Sequence, residues 1–345
     1  MVYPHLQRRA VASSAILLLV TTCLTSARPA SPCQADGAPG GLELLSVRKI
    51  WDQAPHNAFT DLVRFRDRWV CVFREGQGHV SPDGALRVIT SADGENWASA
   101  ALLTAPQSDL RDAKITIMPD ARLMLAGAEA LHQKTTHSHQ SLAWFSSDGQ
   151  TWSERHPIGE PNLWLWRVTW HRDRAYGLGY GCGADRFVRL YVSADGRHFE
   201  TLVPRLHDVG YPNESSLVFD GETAYCLLRR DGRPASGLLG TAQAPFKEWK
   251  WQDLGVQIGG PHMLRLADGR LLAAVRLYDK RVRTALCWLD AREGKLTEAL
   301  TLPSGGDTSY AGLVWHDGRL WVSYYSSHEG KTSIYLAQVA VQPRP

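Results

Sequence analysis

Leu62-Val63-Arg64-Phe65-Arg66-Asp67-Arg68-Trp69-Val70-Cys71-Val72-Phe73 is two apolar runs joined at an aspartate. Runs rich in β-branched and aromatic residues, separated by a short turn, read as a β-hairpin. The design recurs at Ile115 to Leu125 around Asp120, Val168 to Leu178 around Asp173, and Leu217 to Leu228 around Asp220. Met263 to Val275 around Asp268 and Leu313 to Tyr324 around Asp317 complete the set. The turn aspartates lie 53, 53, 47, 48 and 49 residues apart. Three turns are literal Asp-Gly, at Asp220-Gly221, Asp268-Gly269 and Asp317-Gly318, which supplies the positive φ that a tight hairpin demands. A period near 50 with about four strands per unit is the signature of a propeller blade. Each hairpin forms the inner two strands; the outer two follow, as in Leu86 to Thr90 and the stretch after Trp97. The spacing therefore predicts an all-β fold, a six-bladed β-propeller of four-stranded antiparallel blades. Leu42 to Trp51 precedes the first hairpin, and only Ser333 to Val341 follows the last. The N-terminal strand is thus expected to complete the final blade and close the ring.

Composition agrees. The chain has 30 Gly, 13 Trp and 4 Met, which suits short strands and tight turns better than a helical bundle. Arg8 and Arg9 precede an apolar stretch from Ala10 to Leu24, and Thr25-Ser26-Ala27 offers small residues for cleavage. Residues 1–27 read as a signal peptide, 28–41 as a Pro/Gly/Ala-rich linker, and 42–345 as the propeller. A secreted or periplasmic product is expected, with lipid anchoring through Cys23 as the alternative. The apolar stretch is short for a bilayer span, and no later segment reads as one. The net charge is +3, of which Arg8 and Arg9 supply two, and no basic run suits nucleic acid or an anionic membrane. Cys71, Cys226 and Cys287 fall inside strand patterns and read as buried free thiols. No Cys or His spacing resembles a zinc site, so neither metal nor cofactor is expected. A monomer is expected.

Three outer turns share a further pattern: Ser91-Ala92-Asp93-Gly94-Glu95-Asn96-Trp97, Ser146-Ser147-Asp148-Gly149-Gln150-Thr151-Trp152, and Ser193-Ala194-Asp195-Gly196-Arg197-His198-Phe199. They resemble the Asp box (BNR repeat) of sialidases, or neuraminidases, with one residue fewer between Asp and Gly. That resemblance extends over nearly the whole propeller. Tyr310-Ala311-Gly312-Leu313 is similar to the sialidase segment that carries the nucleophilic tyrosine. Asn213-Glu214-Ser215-Ser216, followed by Arg229-Arg230, resembles the segment giving the tyrosine's glutamate partner and a carboxylate-binding arginine. Arg283, or nearby Arg276, matches the site of a further arginine. Where sialidases open the first blade with Phe/Tyr-Arg-Ile-Pro, this chain has Phe59-Thr60-Asp61-Leu62, without the arginine. Arg74 is the nearest replacement, and Asp83 the position at which the resemblance implies the acid/base aspartate.

The chemistry accounts for these residue types. A sialic acid carries a carboxylate on its anomeric carbon, which repels an anionic nucleophile; a neutral phenol deprotonated by a glutamate avoids that. Arginine forks match the substrate carboxylate and stay charged.

Propeller topology adds a second route to the site. Residues in the loops just before the innermost strands surround the central channel: Thr60-Asp61, Arg111-Asp112, Trp166-Arg167, Asn213-Glu214, Pro261-His262 and Ser309-Tyr310. The ends of the second strands add Arg74-Glu75, Glu129, Tyr180, Arg229-Arg230, Arg276 and Tyr325. Charged groups converging in a cleft are costly unless paired or used. Trp164 and Trp166 offer faces for sugar stacking, with burial expected for one of them, and His79, His132, His137 and His139 read as exposed loop residues.

Three functions fit. The first is a retaining exo-α-sialidase with Tyr310 as nucleophile, Glu214 as its base, Asp83 as the acid/base candidate, and arginines gripping an acidic sugar. The second is a glycosidase of neutral sugars using Asp61, Asp112 and Glu214, in the manner of arabinanase- and invertase-like propellers. The third is a non-catalytic glycan-binding propeller.

Overall fold

Period-2 alternation, interrupted by turn residues, resolves into twenty-four strands and no helix among the described residues. The computed structural model describes residues 41–134 and 136–343. The expected signal peptide, Cys23 and nearly all of the linker lie outside them. Strand β1 is Leu42–Trp51; blade one follows as β2 (His56–Phe65), β3 (Arg68–Gly76), β4 (Ala85–Ser91) and β5 (Ala98–Leu103). Blade two is β6 (Ser108–Ile117), β7 (Leu123–Leu131), β8 (His139–Ser146) and β9 (His156–Ile158). Blade three is β10 (Leu163–His171), β11 (Arg174–Gly181), β12 (Val188–Ser193) and β13 (Glu200–His207). Blade four is β14 (Pro212–Asp220), β15 (Thr223–Arg230), β16 (Leu238–Gln243) and β17 (Trp249–Asp253). Blade five is β18 (Ile258–Arg265), β19 (Leu271–Leu277), β20 (Arg283–Asp290) and β21 (Lys295–Thr301). Blade six is β22 (Thr308–His316), β23 (Arg319–Ser326) and β24 (Ser333–Val341), closed by β1 in the order β1-β24-β23-β22.

All six sheets are four-stranded with antiparallel neighbours. The period of the hairpin aspartates therefore describes a six-bladed β-propeller, and closure by the N-terminal strand is as expected. In β1 and β24, Leu42 pairs with Val341 and Trp51 with Ile334.

Apolar side chains pack between neighbouring blades: Val72, Leu86 and Val88 of blade one meet Leu110, Leu125 and Leu142 of blade two. Cys71, Cys226 and Cys287 are buried and free, as their strand positions imply, and Cys182 is also free. No helix of the described residues is long and apolar enough to cross a membrane.

The three outer turns share one geometry. Asp93 Oδ1 accepts from the backbone N–H of Glu95 and Asn96, both at 2.8 Å, while the Ser91 hydroxyl accepts from Gly94 N at 2.8 Å. Asp148 and Asp195 repeat it. A fourth turn of this kind stands in blade five, where Asp290 Oδ1 accepts from Arg292 N and Glu293 N. It lacks the serine and glycine of the others, which is why the sequence pattern passes over it.

Candidate active site

The channel is built from one local irregularity used six times. In each inner strand, two residues oppose one on the partner, a β-bulge. The shifts fall at Ala58/Asp61, Arg111/Lys114, Leu165/Val168, Pro212/Ser215, Gly259/His262 and Ser309/Gly312. The extra residues are Phe59-Thr60, Asp112-Ala113, Trp166-Arg167, Asn213-Glu214, Gly260-Pro261 and Tyr310-Ala311. The sequence reading put these residues in loops before the strands; they stand inside the strands, re-aimed by the bulge. Phe59, Asp112, Gly260 and Tyr310 adopt left-handed φ values of 63°, 55°, 54° and 50°. For non-glycine residues that conformation costs free energy and persists only where the surroundings enforce it.

Two bulges bring together the groups that matter most. The Tyr310 hydroxyl donates to Glu214 Oε1 at 2.5 Å. Glu214 Oε2 accepts from Arg229 Nη1 and from Gly260 N, each at 2.8 Å. Arg229 Nη1 also lies 3.1 Å from the Tyr310 hydroxyl. Gly260 has no alternative here: a Cβ would stand 2.7 Å from Tyr310 Cδ2, and its φ is positive. Burial pushes the Glu214 carboxyl up, but the Arg229 charge and the hydrogen bonds from Tyr310, Arg229 and Gly260 outweigh it and hold it below the ordinary range. The Tyr310 phenol moves well above its ordinary value, through burial first and then the Glu214 charge. The resting pair is thus a carboxylate and a neutral phenol joined by a short hydrogen bond.

A second arginine flanks the tyrosine. The Arg276 guanidinium carbon lies 5.3 Å from the Tyr310 ring centroid. It donates to Thr308 O (2.7 Å), Asp307 Oδ1 (3.1 Å) and the Tyr325 hydroxyl (2.7 Å). Asp307 Oδ2 contacts His56 Nε2 at 3.2 Å and His79 Nδ1 at 2.7 Å. Burial pushes the Asp307 carboxyl up, but hydrogen bonds from His56, His79 and Tyr325 carry it far below the ordinary range. His56, His79 and Asp307 are the set, among the described residues, whose donor atoms could hold a metal ion. Arg276 and Tyr325 already engage that carboxylate, so the cluster is an ion-pair hub anchoring Arg276.

These distances settle the arginine pairs left open by sequence. Arg229 and Arg276 reach Tyr310; Arg230 instead binds Asp253 (2.6 Å) and Ser236, and Arg283 binds Glu298 (2.6 Å) and Asp279 (3.0 Å). Arg74 does not replace the absent first-blade arginine. Fully buried, it grips Asp109 Oδ1 through Nε and Nη2, at 2.9 and 2.8 Å, and ties down Gly78 O and Ser81. Asp83 sits exposed on that loop, accepting from Gln77 N. Its slight burial pushes the carboxyl up, but hydrogen bonds from Ser81 and Gln77 prevail and keep it below the ordinary range. An exposed, firmly ionised carboxylate is a poor proton donor.

Arg111 is the cation left over. Its guanidinium carbon lies 5.7 Å from the Phe59 ring centroid, its nearest carboxylate, Asp109, is 3.8 Å away, and its buried Nε has no partner. Phe59 in turn stacks edge-on to Tyr310 at 5.1 Å. Arg111, Arg229 and Arg276 therefore surround the Phe59–Tyr310 pair.

Beneath Tyr310 the channel is plugged. Asp61 is 1 % exposed and its Oδ2 accepts from Arg167 (2.8 Å) and Ile115 N (2.9 Å). His262 Nδ1 is 2.9 Å from Ala311 O, and burial, then Arg167, push the imidazole down to about 3, so it is neutral and donates. Lys114 lies 4.9 Å from the Trp166 ring and 5.8 Å from that of Tyr310; burial, then Arg167, lower it to about 8. Asp61, Arg167 and His262 thus belong to the floor. Trp164 and Trp166 are both buried, and Trp166 packs on Tyr310 at 5.6 Å. His79, expected in an exposed loop, is half-exposed yet reaches Asp307 and packs edge-on to Phe59. Asp307, Lys114 and Gly260 had no sequence signal beyond their place beside a bulge.

No family model and no curated protein matches the chain. Solved structures do. A Dyadobacter fermentans protein of unknown function superposes with a TM-score of 0.78 at 18% identity, covering 88% of this chain and 100% of that one. Trypanosoma rangeli sialidase, in complex with the inhibitor DANA, gives 0.65 at 13% identity, covering 83% of this chain and 55% of the sialidase. The fold is the sialidase-type propeller. A Penicillium chrysogenum α-L-arabinanase complexed with arabinobiose gives 0.64 at 13% identity, over 85% of this chain and 98% of that one. The sialidase-type propeller therefore also describes proteins named for other sugars, and the reaction has to be argued from the pocket.

Proposed function

We propose that this chain is a retaining exo-α-sialidase that cleaves terminal acidic sugars from glycans, with Tyr310 as nucleophile. The observation that carries this reading is the 2.5 Å hydrogen bond from Tyr310 to Glu214, two residues from different blades held in a buried site. A tyrosine buried only as a channel-lining aromatic needs no ionised glutamate, and burying that carboxylate is expensive unless it is used. As Tyr310 Oη attacks the anomeric carbon, its proton passes to Glu214, and Arg229 stabilises the developing charge. Arg229, Arg276 and Arg111 supply guanidinium groups for the sugar carboxylate; Arg111 thereby makes up for the missing first-blade arginine. Solved complexes of the Trypanosoma rangeli sialidase with sialic acid, and of its covalent intermediate with 2,3-difluorosialic acid, support the reading by fold likeness. The protein acts as a secreted or periplasmic monomer, exported by the segment ending near Ala27.

The neutral-sugar reading loses its base, because Asp61 is sealed against Arg167 on the channel floor. Purified protein assayed on aryl α-sialosides is expected to release sialic acid, with release abolished in Tyr310→Phe. Hydrolysis of neutral aryl glycosides, lost in Asp61→Asn, would overturn the proposal. So would glycan binding without hydrolysis of any substrate.

A further inference from the structure

A retaining glycosidase also needs a group that protonates the departing oxygen and later deprotonates water. The position implied by family resemblance, Asp83, is exposed and held ionised. We propose that Asp112, at the bulge of blade two, is the proton donor and base of the reaction; this rests on Tyr310 being the nucleophile.

Three observations converge on it. Asp112 takes the first place in the bulge of its inner strand, as Tyr310 does in its own, while Glu214 takes the second in the bulge of blade four. With φ at 55°, Asp112 lies in the left-handed region that Tyr310 also occupies at its bulge. Asp112 is 6 % exposed and its carboxylate makes no hydrogen bond or close ion pair among the described residues, yet its oxygens are not sealed from solvent as Asp61 Oδ1 and Asp109 Oδ2 are. By contrast Glu214, Asp61, Asp109 and Asp307 each have strong partners. A mostly buried carboxyl that no protein group engages, with oxygens still reachable, is free to meet a bound ligand. Its electrostatic surroundings fit a proton donor. Burial pushes the carboxyl up, only partly countered by Arg111 and Lys114, and the Glu214 charge adds to the rise. The two carboxyls of the site are therefore driven apart, Glu214 downward and Asp112 upward, the kind of division that separates base from acid.

In the first step the Tyr310 oxygen–carbon bond forms and the glycosidic bond breaks. The phenol proton goes to Glu214, and the Asp112 proton goes to the leaving oxygen. In the second, water attacks the same carbon as the Tyr310 oxygen–carbon bond breaks; the water gives a proton to Asp112, and Glu214 returns its proton to the Tyr310 oxygen. Protons and charge balance over the cycle.

The test is Asp112→Asn on two substrates, sialyllactose and a nitrophenyl α-sialoside, whose leaving group departs without protonation. The variant should lose about 10²–10⁴-fold in kcat/KM on sialyllactose and far less in kcat/KM on the nitrophenyl sialoside. Azide should accelerate the variant on the second substrate and yield sialosyl azide. Should the Asn variant not fold, Asp112→Glu serves instead, with the same unequal loss expected. Equal losses on both substrates without azide rescue would overturn the role of Asp112 while leaving Tyr310 in place. Azide rescue of Asp83→Asn instead of Asp112→Asn would move the role there. A wild-type protein inactive on both substrates would remove the sialidase reading and this proposal together.

Discussion

The outer turns and the inner bulges both recur from blade to blade, yet they have diverged in opposite ways. Four outer turns keep one aspartate accepting from the same two backbone amides. The six bulges keep only their backbone register; their side chains run from Phe59 through Asp112, Trp166 and Asn213-Glu214 to Gly260 and Tyr310. At the turn the side chain serves its own backbone, so one residue type suffices. At the bulge the backbone is set by the register, and the side chain is free to serve a partner two or three blades away.

If that contrast is sound, substitutions at bulges should cost chemistry and substitutions at turns should cost only stability. The largest effect is expected for Glu214→Gln, which keeps the shape but removes the charge that takes the phenol proton. Its kcat should fall about 10²–10⁴-fold with little change in KM, measured on an aryl sialoside. Gly260→Ala should come next. Its Cβ would meet the Tyr310 ring at 2.7 Å, and the variant should lose about 1–3 kcal/mol in urea denaturation together with most activity. Arg229→Gln sharpens the comparison through pH. Glu214 must be ionised to act, and its carboxyl lies below the ordinary range, so wild-type kcat/KM should decline only as the pH drops through that lowered value. Without the Arg229 charge the acid limb should move to higher pH, whereas an unmoved limb would deny Arg229 its part in holding Glu214 ionised. The smallest effect is expected at a turn: Asp148→Ala should lower the melting temperature by about 2 °C and leave kcat/KM unchanged. A substantial fall in activity there would break the distinction.

The sequence exposed the ring because a repeat is a statement about spacing, and spacing survives when residues change. The hairpin aspartates alone placed every blade, and Leu42 to Trp51 announced the closing strand. Tyr310 and Glu214 were singled out because their segments resemble sialidase segments, and the structure brings the two side chains together. Choosing Arg229 over Arg230, and Arg276 over Arg283, was beyond any pattern, since adjacent or nearby residues diverge by strand pleat and bulge. Arg74 misled for a physical reason: its place at a strand end suits a channel residue, but Asp109, thirty-five positions away, captures it. Asp307 and Gly260 were hidden because their importance lies in what they touch across blades.

The closure of blade six has a consequence for how the molecule comes into being. Leu42 finds its strand partner in Val341, so the first described strand waits for almost the last. Loop-closure entropy makes such distant pairing slow, and until it happens β24 presents a bare edge. Tyr310 stands on the innermost strand of that same sheet. The proposed nucleophile is therefore set on the blade that is finished last, and on that proposal catalytic competence should appear only as the ring snaps shut, a built-in delay between synthesis and activity.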